Sequence, residues 1–349
     1  MTPPAPHPAD PLGHALLAAR LLAVTEHLGE MLAAPQPPRR QPPAPGRFTV
    51  TGVGGSEAHA RHLAWLVNTF TPYPAEVAPG SAFAAPVDDR AAARTLVVFS
   101  QGLSQNARLA LDQAGRFGGL VLFTAATEAG LRRAGRADRA GLLARLVTLG
   151  AEVVRFPLEE EYTILIRVVG AACGFLAARQ WAATLPGSRL AAPRPEDVLV
   201  PFLDPPPAAS AEVLLRAPLL LAPPPLGESG GNLACKFVEG LFRPAPPLVD
   251  LLAFAHGAFQ QLAAQPRPVL LLEPAHGPFA ELARRARQMC AAVGAEVLAL
   301  PLDGPADLAP LEAEARLNAL LLAAVRAAGT NQRDWPGKGL DTPLYAFPE

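Results

Sequence analysis

Cysteine is scarce in this chain of 349 residues: Cys173, Cys235 and Cys290 stand far apart, with none of the short spacings that hold a metal. Three scattered thiols also exclude a disulfide framework and fit a reducing, cytoplasmic compartment. Neither sign of charge is in excess. The 30 Lys and Arg stand against 31 Asp and Glu for a net −1, so no basic surface is offered to nucleic acid and no charged block forms a tail. No apolar run reaches the ~18–20 residues of a membrane-crossing helix. The opening MTPPAPHPADP lacks the charged and apolar regions of a secretory leader. The expectation is a soluble, cytoplasmic protein with neither a nucleic-acid nor a membrane partner. Half the residues are hydrophobic although aromatics make up only 6%, and the 40 prolines gather in loops and linkers. The length suffices for two α/β domains, each with its own core.

The most informative stretch is Thr95 to Ala107, TLVVFSQGLSQNA. Leu96-Val97-Val98-Phe99 is short, apolar and β-branched, as a strand buried on both faces should be. It runs into Ser100-Gln101-Gly102-Leu103-Ser104-Gln105-Asn106 and then into an alanine- and leucine-rich helical pattern. Hydroxyls, an amide and a glycine delivered onto a helix N-terminus suit an anion, because free N–H groups and the helix dipole favour negative charge there. An ordinary βα turn with Ser104 as N-cap explains the same residues. A second such turn, Gly52-Val53-Gly54-Gly55-Ser56, follows the short strand Phe48–Thr51. With Glu76 downstream it partly matches a dinucleotide fingerprint, but Glu57 fills the third glycine position and argues against that cofactor. His59 and His62 share a helical face without a third ligand and read as a solvated pair rather than a metal site.

The chain divides by composition. Residues 1–46 hold a disordered lead-in (1–12), a helix over Leu12–Ala33 and the Pro-rich spacer Pro35–Gly46. Residues 47–184 alternate strands and helices: after the Ser100 helix come strand Leu120–Thr124, a short helix around Leu131 and strand Ala151–Arg155. A long apolar helix from about Tyr162 to Ala183 follows, led by Glu159-Glu160-Glu161 complementing its dipole. Residues 185–210, proline-rich and without periodicity, read as a linker. Residues 211–328 repeat the plan with strands at Leu219–Leu221, Val269–Leu272 and Glu296–Leu300, the last stopped by Pro301. Helices are expected over Ser229–Leu241, from Leu251, over Phe279–Val293 and over Leu311–Ala328. Residues 329–349 form an irregular tail. Two similar halves of this kind suggest duplication and two parallel sheets covered on both faces.

The combination GVGGS, ending at Ser56, and strand–SQGLSQN resembles the two phosphate-holding turns of the sugar isomerase (SIS) family, and the chain from about Leu12 to Phe347 resembles a double-SIS protein. Relatives of that kind include the isomerase half of glucosamine-6-phosphate synthase and the fructosamine-6-phosphate deglycases. The resemblance implies two flavodoxin-like parallel-sheet domains in tandem and a homodimer. It implies a sugar phosphate or amino-sugar phosphate as ligand, and no metal or organic cofactor. Ser56, Ser100 and Gln101 match phosphate-loop positions. Beyond them Gly102 replaces the family's second serine, and either Gln105 or, with a one-residue deletion, Ser104 takes the later hydroxyl's place.

In the second half, ACKFVEG sets Lys236 and Glu239 three residues apart on one helical face. Taken alone they read as a surface ion pair. The resemblance makes Glu239 the acid/base that moves a proton between C1 and C2, with Lys236 beside it. His256, seventeen residues further on in AHGAF, takes the place of a ring-opening histidine that the family supplies from the neighbouring subunit. The apolar segment Pro246–Phe259 around it reads as covered rather than exposed. His276, before Gly277-Pro278, is a further candidate lining residue. The tail RDWPGKGLDTP resembles the family's C-terminal catalytic loop but carries Asp341 at the lysine position and Gly337 at the arginine position. A glutaminase domain is absent from the sequence given. The implied function is isomerisation, or deamination or deglycation, of a sugar phosphate by Glu/His acid–base chemistry, and the alternative is a phosphosugar-binding protein without turnover.

Overall fold

The computed structural model describes residues 10–345 apart from residues 36–38, 40, 42, 160, 205 and 225. Among the described residues nine strands form two wholly parallel sheets. In the first, β1 (Phe48–Gly52), β2 (Ala75–Val77), β3 (Thr95–Phe99), β4 (Gly119–Thr124) and β5 (Glu152–Arg155) lie in the order β2-β1-β3-β4-β5. That is the flavodoxin-like order. In the second, β6 (Leu219–Ala222), β7 (Leu248–Asp250), β8 (Val269–Pro274) and β9 (Val297–Leu302) lie in the order β7-β6-β8-β9. The expected α/β plan of two parallel sheets is what the chain adopts.

Side chains on successive strand residues point to opposite faces, and both faces are closed. In the first sheet Val50, Val97, Phe99, Val121 and Phe123 face one apolar cluster, while Leu96, Val98, Leu120 and Leu122 face another with Leu111, Leu143 and Leu146. The first cluster continues into the second half through Leu220, Leu270 and Leu300 and the helix Ala309–Ala328. A layer of helices therefore fills the space between the sheets: His14–Ala33, Gly55–Phe70, Val169–Thr184 and Ala309–Ala328. Trp181, fully buried in this layer, meets Phe48 edge-on at 5.5 Å and Phe123 at 5.9 Å.

Several expectations are corrected. The helix expected from Tyr162 begins at Val169, because the Glu161 carboxylate reaches forward to accept the N–H groups of Val168, Val169 and Gly170, each at 2.6 Å. The charge complements the helix start as expected, but from a buried position eight residues ahead of Val169 rather than from the first turn. His59 and His62 are not solvated. Both are buried between Phe175 and their own helix, and His59 Nε2 bonds the Ala171 carbonyl at 2.8 Å. Residues 1–9 lie outside the described residues, but Asp10 is ordered and its carboxylate accepts from Ala15 and Leu16 N–H at 3.0 Å.

Part of the Pro35–Gly46 spacer also lies outside the described residues. Arg39 within it is docked, paired with Glu152 and bonded to Thr184 Oγ1 at 2.9 Å. The 185–210 stretch contains a helix, Pro195–Leu203, started by a proline whose fixed φ suits a first helical position. The helix expected over Ser229–Leu241 is broken into Leu226–Ser229, Gly231–Cys235 and a π-helical turn, Lys236–Gly240. Pro301 does not stop its strand. It lies within β9, an edge strand, where a missing N–H is tolerated.

Candidate functional site

β1 and β3 are neighbours at the point where the first sheet's strand order reverses, and loops leaving the carboxyl ends of such strands enclose a crevice. The two turns singled out in the sequence are these loops. A cavity of about 200 Å³ opens there, lined by Ser56, Ser100, Gln101 and Ser104 from the first half. Lys236 and Glu239 line it from the second. Gln105 does not line it, and its Oε1 accepts from Arg108 Nη1 at 3.4 Å instead. His256 and His276 are exposed and lie outside the lining, as does Asp341 in the tail. Within the Pro246–Phe259 segment, Phe254 is buried by its own chain whereas Leu252 is 59% exposed.

The serine turn is held in shape from below. Ser100 N–H donates to the Phe123 carbonyl at 2.9 Å, and the Gln101 carbonyl accepts from Ala125 N–H at 2.9 Å and Thr124 Oγ1 at 3.0 Å. Leu103 adopts a left-handed backbone, φ 52°, while its side chain is fully buried. That conformation costs a non-glycine residue ~1–2 kcal/mol. It is followed by a Ser104 N–H that donates to Ser100 Oγ at 3.2 Å. The helix Gln105–Asp112 then presents its first turn to the cavity through Asn106. Gln101 is fixed by its own side chain, donating to the Leu158 carbonyl and to Glu161 Oε2, both at 2.9 Å. Gly170 makes this approach possible, since a Cβ there would lie 2.3 Å from the Gln101 amide nitrogen.

Across the cavity, the π-helical turn carries Lys236 and Glu239. Such turns recur at functional sites because they push side chains out of the regular helical register. Lys236, one of two lysines in the sequence, is 2% exposed, and its Nζ pairs with the fully buried Glu314 at 2.7 Å and donates to the Arg167 carbonyl at 2.9 Å. Asn232 and Asn318 also donate to Glu314. The ion pair expected at Lys236 thus exists, but with Glu314 rather than Glu239 and not at the surface. Glu239 has no such partner among the described residues. Burial raises its pKa above the ordinary carboxylate value, the Arg167 and Lys236 charges pull it down, and Glu161 adds to the rise. A half-buried carboxyl of this kind is suited to giving and taking a proton. Cys235, on the same wall, has its thiol pushed up to about 11 chiefly by burial, so it stays protonated.

Sequence reasoning missed four contributors: Arg139, Tyr162, Arg167 and Asn232 all line the cavity. Arg139 Nη1 donates to the Gly102 carbonyl at 3.0 Å, and Arg167 Nη1 to Gln101 Oε1 at 3.4 Å. Neither has a carboxylate partner among the described residues. The only usable signal was positional: Tyr162 and Arg167 flank the Glu161 segment, and Arg139 lies on an unanticipated helix, Ala137–Thr148. No group of three or more His, Cys, Asp or Glu side chains gathers as a metal site among the described residues. The dinucleotide reading also weakens, because Glu76 is paired with Arg94 and accepts from Thr49 Oγ1 at 3.2 Å.

No protein-family model and no curated protein matches the chain. Solved structures do. The C-terminal domain of glucosamine-fructose-6-phosphate aminotransferase from Francisella tularensis is similar with a TM-score of 0.69 at 12% identity, over 92% of this chain and 98% of that one. The fold is the double-SIS fold. Glucosamine-6-phosphate deaminase from Thermotoga maritima is similar at a TM-score of 0.60 and 16% identity, over 93% of this chain and 97% of that one. Tagatose-6-phosphate ketose/aldose isomerase from Escherichia coli is similar at 0.60 and 13%, over 92% and 91%. Within the SIS fold the cavity occupies the crevice above β1 and β3, and among the described residues no helix is long and apolar enough to cross a membrane.

Proposed function

We propose that the protein binds a sugar phosphate or amino-sugar phosphate in this cavity and acts on it by acid–base chemistry. The reaction would be aldose–ketose isomerisation, or deamination or deglycation of an amino sugar. The observation that carries the reading is the sharing of one cavity by a hydroxyl-rich turn pair and a half-buried carboxyl, Glu239, whose proton affinity is raised. The turns, with two helix N-termini and with Arg139 and Arg167, neither of which forms a salt bridge among the described residues, suit an anion. Asn106 Oδ1, buried and without a partner among the described residues, suits a ligand hydroxyl. Glu239 would then carry a proton between adjacent carbons of the open-chain sugar, taking it from one and returning it to the next. Lys236, bound to Glu314, would position the turn that holds Glu239 rather than act as a base. His256, exposed in its own chain, would enter the site of a second copy in a cytoplasmic homodimer.

A second reading is favoured by the tail. Asp341 is exposed and outside the cavity, and a carboxylate cannot form an imine or assist ring opening as an ammonium could. On that reading the chain binds sugar phosphates without turnover. Calorimetric binding and product analysis with fructosamine and glucosamine phosphates separate the two. Binding with turnover supports the enzyme, binding alone supports the second reading, and no binding to any member of the panel defeats both.

A further inference from the structure

Gly102 leaves the serine turn one hydroxyl short of the pattern it resembles, and a side chain from elsewhere fills the space. A Cβ on Gly102 would lie 1.7 Å from Tyr162 Oη and 2.5 Å from Tyr162 Cζ, so residue 102 has to be glycine while Tyr162 stands there. The Tyr162 hydroxyl has no hydrogen-bond partner among the described residues, and its residue lines the cavity. Its ring is held by two cations, with Arg136 Cζ 5.7 Å and Arg167 Cζ 5.1 Å from the centroid. Beside it, half-buried Arg139 spends one N–H on the Gly102 carbonyl and forms no salt bridge among the described residues.

We propose that Tyr162 and Arg139 complete the anion seat in place of the missing serine, and that this seat selects a phosphate monoester over a carboxylate or an uncharged sugar. The inference rests on the sugar-phosphate reading of the cavity. A phenol donates one hydrogen bond from the position a serine hydroxyl would have reached. A guanidinium adds a fixed fork of donors and a permanent charge that a serine turn lacks. A phosphate monoester offers three oxygens to the Ser100 and Ser104 hydroxyls, the Tyr162 phenol and the Arg139 fork, all of which belong to residues lining the one cavity. A carboxylate has two oxygens and one charge, and leaves part of that set unpaired.

The test is calorimetric titration of the full chain with glucosamine 6-phosphate, glucuronate and unphosphorylated glucosamine, with melting curves to establish that each variant folds. Losing a hydrogen bond to a charged group corresponds to about a tenfold or greater weakening. Arg139→Gln should weaken glucosamine 6-phosphate at least that much and remove its advantage over glucuronate, while Arg139→Lys keeps part of it. Tyr162→Phe should weaken it several-fold. Gly102→Ser alone should abolish binding, and Gly102→Ser with Tyr162→Ala should restore it, because the serine then has the space. If Ser100→Ala weakens binding but Arg139→Gln, Tyr162→Phe and the paired substitution bind as native, the seat is overturned and the sugar-phosphate reading stands. If the native protein binds no sugar phosphate, both fall.

Discussion

Replacing Lys236 by methionine separates the two roles this residue could have. Its Nζ lies 2.7 Å from Glu314 Oε2, with both side chains almost fully buried. At an effective dielectric of ~20 that separation is worth about 6 kcal/mol of attraction, most of it offset by removing two ions from water. Lys236→Met removes the cation and leaves Glu314, among the described residues, with the amides of Asn232 and Asn318 as donors. Stripping one member from a buried pair costs ~3–5 kcal/mol, whereas neutralising both is often nearly free. Lys236→Met and Glu314→Gln should therefore each lower stability by about 3 kcal/mol or more. The double variant should recover to within about 1–2 kcal/mol of native. Urea unfolding followed by circular dichroism supplies the three values. A Lys236→Met variant that stays within about 1 kcal/mol of native would refute this, for then the pair does not hold the turn and the lysine is available for chemistry.

Two further perturbations follow from buried groups. Burial lowers the pKa of His59 from 6.5 to about 4 and that of His62 to about 3. The unfolded chain takes up protons below pH 6.5 that the folded one refuses, so stability is lost as pH falls through that window, by roughly 3 kcal/mol for His59 by pH 4. His62→Leu should flatten the fall in urea midpoint between pH 7 and pH 4.5, and an unchanged slope would show that these rings do not drive it. Glu161→Gln turns an amide toward N–H donors that a carboxylate now satisfies at 2.6 Å, and weakens the anchor on Gln101. A loss of ~3 kcal/mol or more is expected, together with weaker sugar-phosphate binding, and a native melting curve would contradict it.

The sequence made the strands legible where burial on both faces left continuous apolar runs, as at Leu96–Phe99 and Leu120–Phe123. It missed β2 and β7, three residues each, because neither is long enough to show a pattern. The helix Ala137–Thr148 was detectable from Ala140, Leu142, Leu143 and Leu146 at helical spacing. Overlooking it also hid Arg139. His59 and His62 misled because polarity implies solvent, whereas aromatic neighbours and the Ala171 carbonyl overrode it. The serine turns, Lys236 and Glu239 could be paired in advance by the resemblance. The lysine's partner could not, because Glu314 lies 78 residues away on another helix and only the tertiary fold joins them. Tyr162 could not be read as a substitute for a loop hydroxyl either, since the space it fills exists only in the folded chain.

In the proposed function Glu239 moves a proton on a bound sugar phosphate. Incubation in deuterated water with glucosamine 6-phosphate or fructose 6-phosphate, read by mass spectrometry and proton resonance at C1 and C2, tests it most directly. The native protein should place solvent deuterium on these carbons, with activity limited on the acid side by a carboxyl titrating above its ordinary value of 4.5. Glu239→Gln should bind the same sugar phosphate with nearly native affinity and exchange ~10²–10⁴-fold more slowly. Equal exchange in the native protein and Glu239→Gln, or no exchange by the native protein on a sugar phosphate that it binds, would contradict the account.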